Sequence, residues 1–160
     1  MITQEFLLEL FEYKNGQLYW KVDRTANKIK GKPAGCLDGR GYLQTKINNV
    51  LHKNHRLIFM MQHGYVPDII DHVDGNPLNN KIDNLRPATI SQNSMNAKVY
   101  CTNKSGVKNV SWHKKSKKWE VKLQINGKRQ HFGAFDDIEL AVAVAKAIRN
   151  KHYKEFAGYQ

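Results

Sequence analysis

The sequence predicts an α+β protein built from two small modules. Asn-Gly and Asn-Asn pairs separate short strand-like runs in the first half, a pattern typical of β-hairpins. Residues 67–97 have the pattern of a strand, a polar turn, a second strand and a helix. Residues 103–157 combine three strand-like runs with an amphipathic segment, which predicts a three-stranded antiparallel sheet and one helix. We therefore expect one domain over residues 1–100 and another over residues 103–157.

The first elements follow from local signals. Thr3 is a natural cap for a short helix. Asn15-Gly16 predicts the turn of one hairpin, and Asn48-Asn49 predicts the turn of a second. The glycine-rich stretch Gly31–Gly41 is expected to be a loop. Asn54 is expected to cap a helix over about residues 55–63, which Gly64 ends.

The middle segment is bounded by similar signals. Ile69–His72 is the first expected strand, and a turn-rich loop follows over Val73–Asp83. Asn84–Pro87 is the expected return strand. Thr89 is a natural N-cap for the helix that follows.

The last module has a clear strand alternation. Its expected strands are Val107–Trp112, Trp119–Ile125 and Arg129–Phe132. Asp136 is expected to cap the final helix, with Glu139 completing a capping box. Leu140, Val144 and Ile148 recur every four residues and are expected to face the sheet.

Charge and composition narrow the range of functions that the chain could have. The formal net charge is +12, and residues 98–160 hold 14 Lys and Arg against 5 Asp and Glu. Such a surface attracts phosphate backbones, although a solubilising surface, a ribosomal contact or a membrane surface would share this charge. No apolar run is long enough to cross a bilayer, and the acidic N-terminus is unlike a signal peptide. With only two distant cysteines, we expect a reducing, cytoplasmic setting.

One group of residues has side chains suited to catalysis. Phosphodiester hydrolysis needs a base that takes a proton from water and a cation that stabilises charge on the phosphate and the leaving oxygen. Histidine side chains titrate near neutral pH, so His72 is a candidate for the base. Asp71 and Asn93 offer oxygen ligands of the kind that Mg²⁺ prefers. The Asn84 amide can pin the long loop through backbone hydrogen bonds. Asp74, Asn76, Asn79 and Asn80 are interpreted as turn-shaping residues.

The stretch IIDHVDGNPLNNKIDNLRPATISQN resembles the HNH nuclease motif, in the His-Asn-Asn variant of phage and intron homing endonucleases. The resemblance implies a ββα-metal (His-Me finger) fold, with His72 as the water-activating base and Asn84 as the loop-bracing catalytic-site residue. It also implies Asp71 and Asn93 as metal ligands. Asparagine at position 93, where the classical motif ends in histidine, favours Mg²⁺ or Mn²⁺.

The stretch SGVKNVSWHKKSKKWEVKLQINGKRQHFGAFDDIELAVAVA resembles an APETALA2/ethylene-response DNA-binding domain, which lays a three-stranded sheet in the major groove. The strand alternation agrees, because Trp119, Val121, Leu123 and Ile125 share one face and leave the other open. We expect that open face and the lysine-rich hairpin to bind DNA through Lys108, Trp112, Lys114, Lys115, Lys117, Lys118, Lys122, Gln124, Lys128, Arg129 and His131. Trp112 is equally compatible with a core position.

Two further residues have open interpretations. His55 and Arg56 lie in a stretch, HKNHRLIFMMQHGYVPD, that resembles the lead-in to the HNH motif. His55 is a candidate to support the site or contact phosphate, and packing is an equal alternative.

The sequence thus predicts a metal-dependent, homing-type endonuclease that nicks or cuts double-stranded DNA. A monomer would provide one active site and a homodimer two. A non-catalytic DNA-binding regulator with a degenerate nuclease core is one alternative, and a structural or RNA-associated basic protein is another.

Overall fold

A computed structural model of the protein describes residues 2–23, 28–99 and 101–158. The chain forms a mixed α+β structure with small antiparallel sheets and four α-helices, which confirms the predicted fold class. It divides into two compact units, Met1–Asn93 and Ser94–Gln160. The division falls inside a helix, whereas the sequence predicted domains over residues 1–100 and 103–157. Among the described residues, no helix combines the length and apolarity needed to span a membrane.

The first unit is a series of hairpins and helices. Its elements in chain order are α1 (Gln4–Leu10), β1 (Phe11–Lys14), β2 (Gln17–Trp20), β3 (Cys36–Leu37), β4 (Leu43–Ile47), β5 (Val50–Lys53), α2 (Asn54–His63), β6 (Ile69–His72), β7 (Leu85–Ala88) and α3 (Ile90–Asn96). Strand β1 pairs with β2, β4 lies between β3 and β5, and β6 pairs with β7. All pairings are antiparallel.

The two predicted hairpin turns have the expected backbone. Asn15 and Gly16 both have positive φ values, of 51° and 90°, and Asn48 and Asn49 have values of 47° and 64°. Consecutive left-handed residues make the turn that matches the twist of paired strands. The sequence signal therefore correctly located both hairpins.

Helix caps follow the predictions in part. The side chain of Thr3 accepts a hydrogen bond from the backbone N–H of Phe6, and Gly64 ends α2 in the left-handed region. Asn54, expected as a cap, is instead the first residue of α2 and is buried. Its side chain accepts from Thr45 Oγ1 and donates to the carbonyl of Ala34. The side-chain amide of Asn54 therefore does not cap the helix, because it is hydrogen-bonded to partners on β4 and before β3.

The stretch predicted as loop over residues 31–41 contains a short strand. Cys36 and Leu37 pair with Gln44 and Leu43 of β4. Two residues give no periodicity in the sequence, so only the neighbouring strand reveals them.

The core of the first unit joins α1, the first hairpin, α2 and the β6–β7 hairpin. Its buried residues include Leu7, Phe11, Leu18, Ile58, Phe59, Ile70 and Leu85. The α2 helix packs on this core through Leu57, Ile58, Phe59 and Met61. This packed core fixes the end of β6, at which Asp71 and His72 lie.

The second unit is a sheet backed by a helix. Strands β8 (Val110–His113), β9 (Lys118–Ile125) and β10 (Lys128–Phe135) form the order β10-β9-β8, and α4 spans Ile138–Tyr153. The core includes Val110, Val121, Leu123, Ala141, Ala145 and Tyr153.

Two expectations for α4 are corrected. Asp137, rather than Asp136, caps the helix by accepting from the N–H of Glu139. Leu140 is 52% exposed, whereas Val144 and Ile148 are partly buried. Ala141 and Ala145 occupy the buried centre of the helix face, since small side chains let helix and sheet approach closely.

Candidate active site

Asp71 and His72 lie at the end of β6, where the β6–β7 hairpin meets the long polar loop. In the register of this hairpin, Asp71 is opposite Arg86 and His72 is opposite Leu85. Adjacent residues of a strand project to opposite faces, so the two side chains have different neighbours. Both are buried, with 4% and 6% of their surface exposed.

The carboxylate of Asp71 is bound by Arg86. The Nε and Nη2 atoms of Arg86 donate to Oδ2 of Asp71 at 2.8 and 2.7 Å. Both side chains are largely shielded from solvent, and such charge-assisted bonds are stronger than bonds between neutral groups. Sequence reasoning missed Arg86, although its place in the return strand made it the natural cross-strand partner of Asp71.

His72 is surrounded by polar and aromatic groups. Its Nε2 lies 2.9 Å from Oδ1 of Asn80. Its ring is 5.2 Å from the ring of His55, edge to face, and 6.0 Å from the ring of Tyr42. The rings of Tyr42 and His55 are 5.5 Å apart, so three rings, from β6, from α2 and from the residue before β4, form one cluster.

His55 is an uncharged neighbour of His72. Burial lowers its pKa to about 3, with further contributions from His72, Arg56 and Lys53. Its ring is thus neutral at physiological pH and adds no charge beside His72. His55 is 9% exposed, and its ring packs against the rings of Tyr42 and His72. Arg56 donates to the carbonyls of Pro67 and Asp68 and thereby braces the chain entering β6.

Asn84 ties the long loop to its ends. Its Oδ1 accepts from the N–H of Asp74 at 3.0 Å, and its Nδ2 donates to Oδ1 of Asp74 and to the carbonyl of Asn79 at 2.9 and 2.7 Å. The carbonyl of Asn84 also accepts from the N–H of Val73, next to His72. These bonds agree with the expectation that an amide at this position pins the loop.

Asp74 serves as the acceptor within the loop. Burial alone would raise its pKa, but hydrogen bonds from Asn79, from the backbone of Asn76 and from Asn84 outweigh burial and lower the pKa below its ordinary value. Asp74 is therefore a charged turn residue that organises backbone and amide donors, in line with its predicted role.

Asn93 lies in the first half of α3, the helix that follows β7, and it is exposed. Thr89 precedes the helix and forms a reciprocal cap with Gln92, as the sequence predicted for Thr89. Among the described residues, no hydrogen bond or ion pair joins Asn93 to Asp71 or His72. The same part of the chain contains no group of three or more His, Cys, Asp or Glu side chains that could hold a metal ion.

The open face of the second unit is polar. Gln124 is opposite Arg129 and Lys122 is opposite His131, so these four side chains share the face turned away from α4. Lys114, Lys115 and Lys117 are exposed in the turn between β8 and β9. Lys128 is exposed at the start of β10, and Lys118 pairs with Asp136.

Two of the expected DNA-contacting residues lie elsewhere. Trp112 is opposite Trp119, with ring centroids 5.0 Å apart, and therefore lies on the α4 side of the sheet. Lys108 precedes β8 and lines a cavity of about 160 Å³ together with Val142, Lys146 and Arg149 of α4. Lys108 lies outside the strand, which begins at Val110, and the register of β8 places Trp112 on the same face as Val110.

An acidic residue stands within this basic face. Glu120 forms an ion pair with Lys122, and its carboxylate is 4.0 and 3.9 Å from ring nitrogens of His113 and His131. The hydrogen bond from Lys122 lowers the pKa of Glu120. Sequence reasoning did not single out Glu120, because its neighbours on β8 and β10 are distant in the chain.

Comparison with known proteins identifies relatives of the chain. Residues 52–95 match a family model described as HNH endonuclease. Protein 3.8 of Escherichia phage T7 is 35% identical over 102 residues, which are 62% of this chain and 84% of that protein. Uncharacterized HNH endonuclease L560 of Acanthamoeba polyphaga mimivirus is 34% identical over 106 residues, which are 64% of this chain and 54% of that protein. No solved structure matches the chain.

Proposed function

Because this chain belongs to the HNH endonuclease family, a family of DNA nucleases, we propose that it hydrolyses phosphodiester bonds of double-stranded DNA with His72 as the general base. The observation that carries this proposal is the position of His72. It is the last residue of β6 in a two-stranded sheet, next to a loop that Asn84 pins, and Asp71 precedes it in the chain. A general base acts on water only if its ring is held in a fixed position, and the hairpin together with the pinned loop holds the ring of His72.

In the proposed reaction, His72 takes a proton from a water molecule. The water oxygen forms a bond to phosphorus while the bond from phosphorus to the 3′ oxygen breaks. Asn84 contributes by holding the loop, and Arg86 by fixing the carboxylate of Asp71. Preorganised groups of this kind avoid reorientation during the reaction.

The residues present suit a divalent cation by their donor chemistry. Asp71 supplies a carboxylate and Asn93 an amide oxygen, and Mg²⁺ or Mn²⁺ accepts a few protein oxygens while keeping positions for water and phosphate. When bound, such a cation stabilises the charge that develops on the phosphate and on the leaving oxygen.

We assign DNA binding to the second unit. Its open sheet face carries Lys122, Gln124, Arg129 and His131, and the adjoining turn adds Lys114, Lys115 and Lys117. Phosphate neutralisation by such cations supports affinity, and a sheet face fits the major groove. We therefore propose a free-standing, homing-type endonuclease, in which an APETALA2-like module binds the duplex and the nuclease domain cleaves it. A monomer would nick DNA, and a homodimer would cut both strands.

The test is cleavage of supercoiled plasmid with Mg²⁺, which separates nicked from linear product. We expect His72→Ala to lower the cleavage rate by about 10² or more, without changing DNA binding. His63→Ala is the matched control, since His63 is exposed at the end of α2. Equal cleavage by wild type and His72→Ala would remove His72 from the mechanism. DNA binding with no metal-dependent cleavage would instead support the non-catalytic regulator.

A further inference from the structure

We propose that Asn80 is a positioning residue that decides which nitrogen of His72 acts as the base. This inference rests on the proposed nuclease function. Oδ1 of Asn80 lies 2.9 Å from Nε2 of His72. An amide oxygen only accepts hydrogen bonds, so Nε2 carries the hydrogen in this contact. A neutral imidazole has one N–H, and the lone pair that takes a proton from water is therefore on Nδ1.

The backbone of Asn80 gives no local reason for an asparagine. Asparagine is common in turns because it tolerates positive φ, and Asn15, Asn48, Asn49, Asn109 and Asn126 all use this property. Asn80 is not among the residues with positive φ. Its residue type must therefore be explained by what its side chain contacts.

The burial of Asn80 points the same way. The residue is 1% exposed, and its Nδ2 is buried without a hydrogen-bond partner among the described residues. A buried N–H₂ group without a hydrogen-bond partner destabilises the folded state. If residue 80 served only the shape or stability of the turn, a side chain without this unpaired amide group would be more stable there. The contact between its oxygen and His72 accounts for its presence.

The first hairpin holds the loop at Asn80. At Gly16, the turn of this hairpin approaches so closely that a Cβ atom would lie 2.9 Å from the backbone N of Lys81 and 3.1 Å from the carbonyl carbon of Asn80. The hydroxyl of Tyr13 accepts from the N–H of Ile82 at 3.0 Å. On the other side of Asn80, Asn84 donates to the carbonyl of Asn79. The backbone is thus fixed on both sides, and the β1–β2 hairpin becomes part of the support for His72.

The first measurement needs no mutation. The ¹⁵N chemical shifts of the ring nitrogens, recorded by NMR with His72 neutral, report which one carries hydrogen. We expect His72 of the wild-type protein to be protonated on Nε2. A hydrogen on Nδ1 would overturn the proposal, whatever the cleavage assay shows. The result for the tautomer is therefore independent of whether the chain cleaves DNA.

The second measurement removes the oxygen. Asn80→Leu keeps the branched side-chain skeleton but has no acceptor, and we expect a mixture of His72 tautomers and a fall in kcat of about 10- to 100-fold with KM unchanged. Asn80→Asp restores an oxygen and should recover the Nε2–H tautomer and most of the lost kcat. Asp83→Leu, at an exposed position of the same loop, is the control and should change neither readout.

A milder variant covers the case in which Asn80→Leu does not fold. Tyr13→Phe removes only the hydroxyl that braces Ile82, and we expect the same direction of change in tautomer and kcat, at smaller amplitude. A purely structural Asn80 predicts something else, namely activity that falls only with the folded fraction and no recovery in Asn80→Asp. Either of these results would refute the positioning role.

Discussion

Arg86 reaches across the β6–β7 hairpin and holds one carboxylate oxygen of Asp71 with two hydrogen bonds, at 2.8 and 2.7 Å. The two residues are direct cross-strand partners. Asp71 is 4% exposed, so its charge depends on protein donors in place of water. The pair links the stability of the hairpin to the position of a candidate metal ligand.

The first prediction concerns this pair. Arg86→Met keeps the apolar stem and removes the guanidinium, and we expect a loss of about 3 kcal/mol in unfolding free energy, because a buried carboxylate loses its cationic partner. Denaturant unfolding measures the loss. Arg40→Met is the control, since Arg40 is exposed and only its backbone N–H makes a described hydrogen bond. A loss no greater than that of Arg40→Met would show that the pair contributes little.

The second prediction follows from the pKa of about 3 at His55, against 6.5 for an unperturbed histidine. The unfolded chain binds a proton as pH falls through 6.5, whereas folded His55 stays neutral until about pH 3. The folded state is therefore destabilised at acid pH, by up to roughly 1.4 kcal/mol per pH unit between these values.

Unfolding free energies of wild type and His55→Gln, measured from pH 7.5 to pH 4, check this linkage. Glutamine does not titrate, so we expect the variant to lose less stability than wild type on acidification. His152→Gln, at an exposed position of α4, should follow the wild-type curve. Parallel curves for wild type and His55→Gln would show that His55 does not oppose protonation.

The third prediction tests the metal ligands. Asn93 is exposed on α3 and bears no described side-chain hydrogen bond, so Asn93→Ala should fold normally. We expect the Mg²⁺ concentration for half-maximal cleavage to rise about tenfold or more, because an oxygen ligand is lost. Ser91→Ala, on the same helix, is the control. An unchanged Mg²⁺ requirement would exclude Asn93 as a ligand.

The fourth prediction concerns DNA binding by the second unit. Arg129 is exposed on the open sheet face, opposite Gln124. We expect Arg129→Ala to weaken duplex binding and, if Arg129 contacts a phosphate, to reduce the slope of log K against log salt by about 0.9. Lys151→Ala makes the same charge change on α4 and should have a smaller effect. Fluorescence anisotropy across a salt series compares them, and equal losses would indicate attraction by net charge alone.

Much of the local structure could be predicted because local residues determine it. Asn15-Gly16 and Asn48-Asn49 located two hairpins, Thr3 and Thr89 marked helix starts, and Gly64 marked a helix end. These signals act over a few residues, through φ preferences and the unpaired N–H groups of a first helical turn. Asn54 and Leu140 show the limit, since partners in other elements decided where each side chain lies.

The candidate site likewise has features that the sequence predicted and features that only the structure revealed. The resemblance to the HNH motif, together with the chemistry of their side chains, singled out Asp71, His72, Asn84 and Asn93 in the sequence. Only the tertiary structure shows that Arg86 binds Asp71. It also shows that the rings of His55 and Tyr42 pack beside His72, and that Asn80 contacts Nε2 of His72. Those contacts depend on strand register and on packing between distant elements, which pattern and spacing do not encode.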